Sequence, residues 1–240
     1  QTAIVVVTHL YGGAVDVPLI RKSLDESGYQ HVVIVEDCAQ AHGSRIGDKY
    51  VGSFGDIATF SFYPTKNLGA CGDAGAIVSN DSNLFHKVKS LAQYGWSNKY
   101  TVSIPHGRNS RIDELQAAYL DLALQNLDQD NEKRISILDR YSSCLPESIH
   151  LVRPKSYTVA HLAVLLAENR DQLRDYLKTY DIATDIHYPI LDIDQSGWVD
   201  FTMREGIAGI PVARLSVSRL LTVPCFPGMT SSEIERVCTA

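Results

Sequence analysis

Short apolar runs, separated by polar and glycine-marked breaks, set the rhythm of the first 80 residues. AIVVV (Ala3–Val7), VVIV (Val32–Val35), ATFSF (Ala58–Phe62) and AIV (Ala76–Val78) each have the length and residue types of a strand. Between the first two lies DVPLIRKSLDESG, which reads as a helix with Asp16 at its N-cap, Pro18 in its first turn and Gly28 as its stop. Strand, helix and strand at this spacing predict a right-handed βαβ unit and a parallel sheet. Residues 44–55 carry glycines and polar turns and read as a loop or hairpin. A helix is expected over Ser82–Tyr94, with Leu84, Phe85, Val88, Leu91 and Ala92 on one face. Gly95–Ser110 is a long polar loop with Trp96 and Tyr100, and loops of that length are usually functional. Arg111–Leu127 is a second helix, with Leu115, Ala118, Tyr119, Leu122 and Leu127 on one stripe, and a more polar helix runs from about Asp130 to Leu145.

The pattern changes near residue 149. HLVRPKSYT is a connector, AHLAVLLA an apolar strand, ENRDQLRDYLKTYD an amphipathic helix and IATDIHYPI a further strand. The end of the chain reads as a strand, two prolines and a helix capped at Ser231 or Ser232. The expectation is an α/β chain with a large domain over 1–148, closed by linker helices, and a smaller α+β domain over 149–240.

Composition narrows the classes. The 240 residues are 45% hydrophobic and 21% charged, ordinary for a globular chain with one large core or two modest ones. With 22 basic and 28 acidic residues the net charge is −6, which argues against sequence-independent nucleic-acid binding. Lys49, Lys66, Arg108 and Arg111 could still take an anionic ligand. The five cysteines are odd in number and widely spaced without a CxxC, so reduced thiols in the cytoplasm are expected, and no metal site. No apolar run approaches the roughly 18 residues of a membrane span, and no signal peptide is visible, so no membrane partner is expected. The chain enters a strand directly after Gln1, which suggests that it lacks an N-terminal part.

Candidate chemistry concentrates at two places. Lys66 lies between two strand signals and is followed by NLGACGDAG, a glycine-rich loop that lets backbone approach a ligand. Taken alone, it reads first as a solvated loop lysine. Upstream, HVVIVEDCAQAHG ends a buried-strand run in Glu36 and Asp37, and ligands of α/β sheets bind at carboxyl strand ends. A lysine and a strand-end aspartate are what pyridoxal phosphate requires: an amine for its aldehyde, and a carboxylate that keeps its ring nitrogen protonated.

The run VEDCAQAHGSRIGDKYVGSFGDIATFSFYPTKNLGACGDAGAIVSND resembles the DegT/StrS family of pyridoxal-phosphate-dependent sugar-nucleotide aminotransferases. HLYG (His9–Gly12), GRNSRIDELQAAYL (Gly107–Leu120) and DIHYP (Asp185–Pro189) continue the match in the family's order. The resemblance implies a three-layer αβα large domain with a mainly parallel sheet. It implies that Lys66 and Asp37 are catalytic and hold the cofactor, that Ala39 packs on the pyridine ring and Gln40 bonds its 3-hydroxyl, and that Ser61 binds the phosphate. It places Asn109 on a loop reaching the cofactor phosphate of a neighbouring subunit, so a homodimer with shared active sites is expected. It sets His187 and Tyr188 beside the substrate, with a core role for His187 equally open. The implied reaction moves an amino group from glutamate to a nucleotide-linked keto-deoxysugar, a 3-keto-6-deoxyhexose on dTDP being favoured. The alternative is a truncated, inactive or regulatory relative that keeps the fold. Residues 190–203 depart from the family pattern, which carries another histidine there.

Overall fold

β1 (Ile4–Thr8) leads into α1 (Val17–Glu26), which returns the chain to β2 (Val33–Asp37). A small hairpin, β3 (Arg45–Ile46) with β4 (Lys49–Tyr50), precedes β5 (Ile57–Ser61), and β6 (Gly75–Val78) turns back beside it. These elements come from a computed structural model that describes residues 2–153, 158–198, 206 and 208–240. The sheet order is β1-β2-β5-β6, with the first two pairings parallel and the last antiparallel. The mainly parallel α/β sheet expected from the sequence is therefore present. Its register aligns the carboxyl ends: Thr8 pairs with Asp37, and Asp37 with Thr59.

Local chemistry explains α1. Asp16 accepts the Leu19 N–H at 2.9 Å, Pro18 sits in the first turn, and Gly28 ends the helix at φ +80°. The helix buries Val17 against Val7 and Ile34, with Ile20 and Leu24 alongside. A second cluster joins Cys38, Ala41, Val51 and Ala58 with Phe60 packed on it. Each fully buried aliphatic side chain in such a cluster contributes roughly 1.5–3 kcal/mol.

α2 (Ser82–Leu91) stops short of Tyr94, because Tyr94 and Gly95 take left-handed backbone at φ 62° and 75°. The expected long loop contains a hairpin, β7 (Trp96–Asn98) with β8 (Thr101–Val102). Its base is tied by the Tyr94 N–H to the Arg108 carbonyl at 3.1 Å and the Arg108 N–H to the Leu91 carbonyl at 2.9 Å. Two helices follow, α3 (Glu114–Leu124) and α4 (Leu127–Cys144).

The chain divides into two compact units, residues 1–132 with 154–161 and residues 133–153 with 162–240. The division falls inside α4, ahead of the compositional shift near 148. The physical reason is hydrogen bonding within the second unit: Arg134 donates to the Cys225 carbonyl at 2.7 Å and the Tyr141 hydroxyl to the Pro224 carbonyl at 2.8 Å, and Arg140 pairs with Glu235.

The second unit contains β9 (Ile149–Leu151), β10 (Ala163–Ala167), α5 (Arg170–Lys178), α6 (Pro211–Val217), β11 (Leu220–Val223) and α7 (Ser231–Thr239). Its sheet is antiparallel in the order β11-β10-β9, so a strand falls within the expected connector. IATDIHYPI forms no full strand, only a bridge from Asp185 to Thr222, because Tyr188 adopts φ 60° and Pro189 offers no N–H to a ladder. The cap of α7 is Thr230, one residue before the expected serines: its hydroxyl accepts the Glu233 N–H, and the Glu233 carboxylate accepts the Thr230 N–H at 2.7 Å. Residues 154–157 of the connector and 199–203 of the divergent segment lie outside the described residues. Among the described residues no helix is long and apolar enough to cross a membrane.

Candidate active site

Side chains alternate along β2, so Glu36 and Asp37 point to opposite faces of the sheet. Glu36 shares its face with Ile34, and both are fully buried. One Glu36 oxygen accepts the Phe54 and Gly55 N–H groups at 2.8 and 2.6 Å. The other accepts the Gly52 N–H at 2.8 Å and faces His9 Nε2 at 3.1 Å. His9 Nδ1 accepts the Val15 N–H at 3.0 Å, so the ring proton sits on Nε2 and is donated to Glu36. Burial alone would raise the Glu36 pKa, but these four donors outweigh it and hold the carboxyl below its ordinary value. Cys38 Sγ lies within 4.8 Å of the His9 and Glu36 ligand atoms. Their lone pairs are already engaged, and burial together with the charges at 36 and 37 pushes the Cys38 thiol far up. The trio is thus a sealed structural cluster, not an open coordination site.

Asp37, on the other face, is half-buried and faces a different set of groups. Its Oδ1 accepts the Ala39 N–H at 3.0 Å, which turns the chain sharply after the strand. Gln40 is buried, with its Oε1 accepting the Tyr11 N–H at 2.7 Å. Ser61 ends β5, and its hydroxyl accepts the Tyr63 N–H at 3.3 Å. Lys66 closes a turn through its N–H to the Tyr63 carbonyl at 2.8 Å. Gly69 permits the tight return, since a Cβ there would stand 2.5 Å from the Pro64 carbonyl oxygen.

Lys66 is half-buried, and burial lowers its ammonium below the ordinary 10.5 while the Asp37 carboxylate opposes that shift. Asp37 ends one strand and Lys66 follows another, and both strands end at the same edge of the sheet. His42, 3% exposed, lies beside the rings of Phe60 and Phe62 at 5.5 and 5.8 Å. Burial first, and the Lys66 charge second, pull its pKa down to about 4, so it is a neutral imidazole at pH 7. Asp37 and Ser61 end adjacent parallel strands, and Ala39, Gln40 and Lys66 lie in the segments that follow those carboxyl ends. A depressed amine opposite a carboxylate, with a hydroxyl and a small residue beside them, fits the aldehyde, ring nitrogen, phosphate and ring face of pyridoxal phosphate.

Asn109 is exposed at the base of the β7–β8 hairpin, bridged to Gln93, and accepts from Arg111 Nε at 3.1 Å. His187 and Tyr188 belong to the second unit. There His187 Nδ1 meets the Thr222 hydroxyl at 2.8 Å, and Tyr188 is 52% exposed.

Residues 1–240 match the model of the DegT/DnrJ/EryC1/StrS aminotransferase family. The chain belongs to this family. Among its curated relatives is the erythromycin biosynthesis sensory transduction protein EryC1 of Saccharopolyspora erythraea, 36% identical over 99% of this chain and 64% of the relative. Another is dTDP-3-amino-3,6-dideoxy-alpha-D-galactopyranose transaminase of Aneurinibacillus thermoaerophilus, 40% identical over 100% of this chain and 65% of the relative. Among solved structures, DesV of S. venezuelae in complex with a ketimine intermediate superposes with a TM-score of 0.89 at 36% identity, covering 100% of this chain and 64% of DesV. The chain thus spans just under two thirds of the length of these family members.

Sequence reasoning passed over two arrangements. The Glu36 cluster was detectable by parity, because Glu36 falls on the same face as Ile34. The polar contacts of Asn67 reach residues 64 to 94 positions away and leave no local mark.

Proposed function

We propose that this chain carries the cofactor-binding machinery of a pyridoxal-phosphate-dependent aminotransferase, acting on a nucleotide-linked keto-deoxysugar with glutamate as amino donor. A 3-keto-6-deoxyhexose on dTDP is the favoured acceptor, in line with the name of the 40%-identical relative. The observation that carries the reading is the burial-lowered amine of Lys66 opposed by the Asp37 carboxylate.

The cofactor, when bound, supplies the electron sink for breaking the bond to the donor's α-proton. Lys66 Nζ would hold it and, once displaced by the incoming amine, would take and return that proton, a role that the burial-lowered basicity of its amine favours. Asp37 would keep a proton on the ring nitrogen through a charge-assisted bond, worth roughly 1.5–3 kcal/mol. Ala39 would leave room for the ring, Gln40 would orient it, and the Ser61 hydroxyl would take a phosphate oxygen. Asn109 is assigned to the phosphate of a second subunit, and His187 and Tyr188 to the sugar. A homodimer agrees with the apolar surface of α3, where Leu115 is 83% and Leu122 64% exposed.

The test is direct. Incubation with pyridoxal phosphate, borohydride reduction and peptide mass spectrometry should find the label on Lys66. A chain that takes no label, or takes it equally at other lysines, sinks the reading. A panel of keto-sugar nucleotides assayed with glutamate then fixes the acceptor.

A further inference from the structure

The residue after Lys66 is clamped. Asn67 Nδ2 donates to Asn131 Oδ1 at 2.7 Å and to the Val159 carbonyl at 3.1 Å. With both N–H groups used, its Oδ1 is the acceptor facing His161 Nδ1 at 2.9 Å, so that nitrogen carries the ring proton. Asn131 Nδ2 continues the chain of bonds to the His42 carbonyl at 2.9 Å. Asn131 and His161 are 2% and 5% exposed. The contact is close enough to demand glycine next to His42: a Cβ on Gly43, at φ +96°, would stand 2.8 Å from Asn131 Nδ2.

The connectivity gives this network a specific job. His42 closes the segment that begins at Asp37 and carries Ala39 and Gln40. Asn67 adjoins Lys66, whose own N–H is fixed to Tyr63. Asn131 thus ties the His42 carbonyl, five residues beyond the aspartate, to the side-chain amide of the residue after the lysine. A lysine stem has four carbons and many rotamers, so the aim of its amine depends on how firmly its root is held. Resting on the proposed function, we infer that Asn67, Asn131 and His161 are positioning residues that set the separation of Lys66 from Asp37.

A double-mutant cycle tests this on the full chain. Competitive acylation of the cofactor-free protein across pH, read by peptide mass spectrometry, gives a midpoint for Lys66. Asp37→Asn removes the opposing charge and should move that midpoint to lower pH. In an Asn131→Ala background the same Asp37→Asn change should move it by about half as much or less, the mark of lost coupling. With cofactor loaded, Asn131→Ala should lower kcat about 10- to 100-fold, the cost of a misplaced group, with KM for glutamate within about twofold. Should Asn131→Ala fail to fold by circular dichroism, Asn67→Ser enters the same cycle. An undiminished Asp37→Asn shift in the folded variant overturns the positioning role even if Lys66 is labelled by cofactor as expected. Absence of that label in the wild-type chain overturns the functional reading, and the inference with it.

Discussion

The two faces of β2 put adjacent carboxylates to opposite uses. Glu36 is sealed: four donors converge on it, no exposed surface remains, and its charge holds His9 and the 52–55 turn in place. Asp37 is half-open, accepts the Ala39 N–H, and its charge opposes the burial that lowers the Lys66 pKa. The difference is one of saturation. A carboxylate with every lone pair engaged is structure, and one with capacity left at a strand end is available for chemistry.

That contrast can be broken most severely from the lysine side. Lys66→Ala should abolish borohydride-trapped cofactor and lower amino transfer by about 100- to 10,000-fold or more, while urea denaturation stays near wild type. Glu36→Gln should do the reverse. The new amide sets its N–H groups against backbone donors or His9, at about 3–5 kcal/mol of stability, read by urea denaturation. Asp37→Asn should lower turnover about 10- to 100-fold and change stability by less than about 1 kcal/mol. A large stability loss from Asp37→Asn, or a neutral Glu36→Gln, would erase the distinction.

The smallest effect is in pH. The Glu36 carboxyl is depressed in the folded chain relative to an ordinary 4.5. Its contribution is therefore present above that value and lost as the pH falls through the folded one. Wild type and Glu36→Gln should differ most in urea midpoint at pH 7 and converge in acid. A gap that stays constant down to pH 3 would show that shape rather than charge is at stake.

The strand-end position of Asp37 was legible in the sequence, since VVIV marks a buried strand and the residues at its end lie at the carboxyl edge of the sheet. The glycines after Lys66 announced a loop with backbone in close contact. The Asn67–Asn131–His161 network was hidden because its members meet only after the chain closes on itself. IATDIHYPI misled because alternating apolar residues look like a strand until the backbone at Tyr188 and Pro189 is known. The hairpin at 96–102 was concealed by its polar residues and by four left-handed positions at Tyr94, Gly95, Tyr100 and His106.

The antiparallel pairing of β5 with β6 sets Ser61 opposite Gly75, and the Phe62 N–H reaches the Ala74 carbonyl just beyond. A further bond from the Ala70 N–H to the Phe62 carbonyl cinches the same ring of chain at 2.7 Å. The lysine therefore rides on a noose drawn shut at its neck. Amides at the neck should exchange with deuterium only when the sheet itself opens.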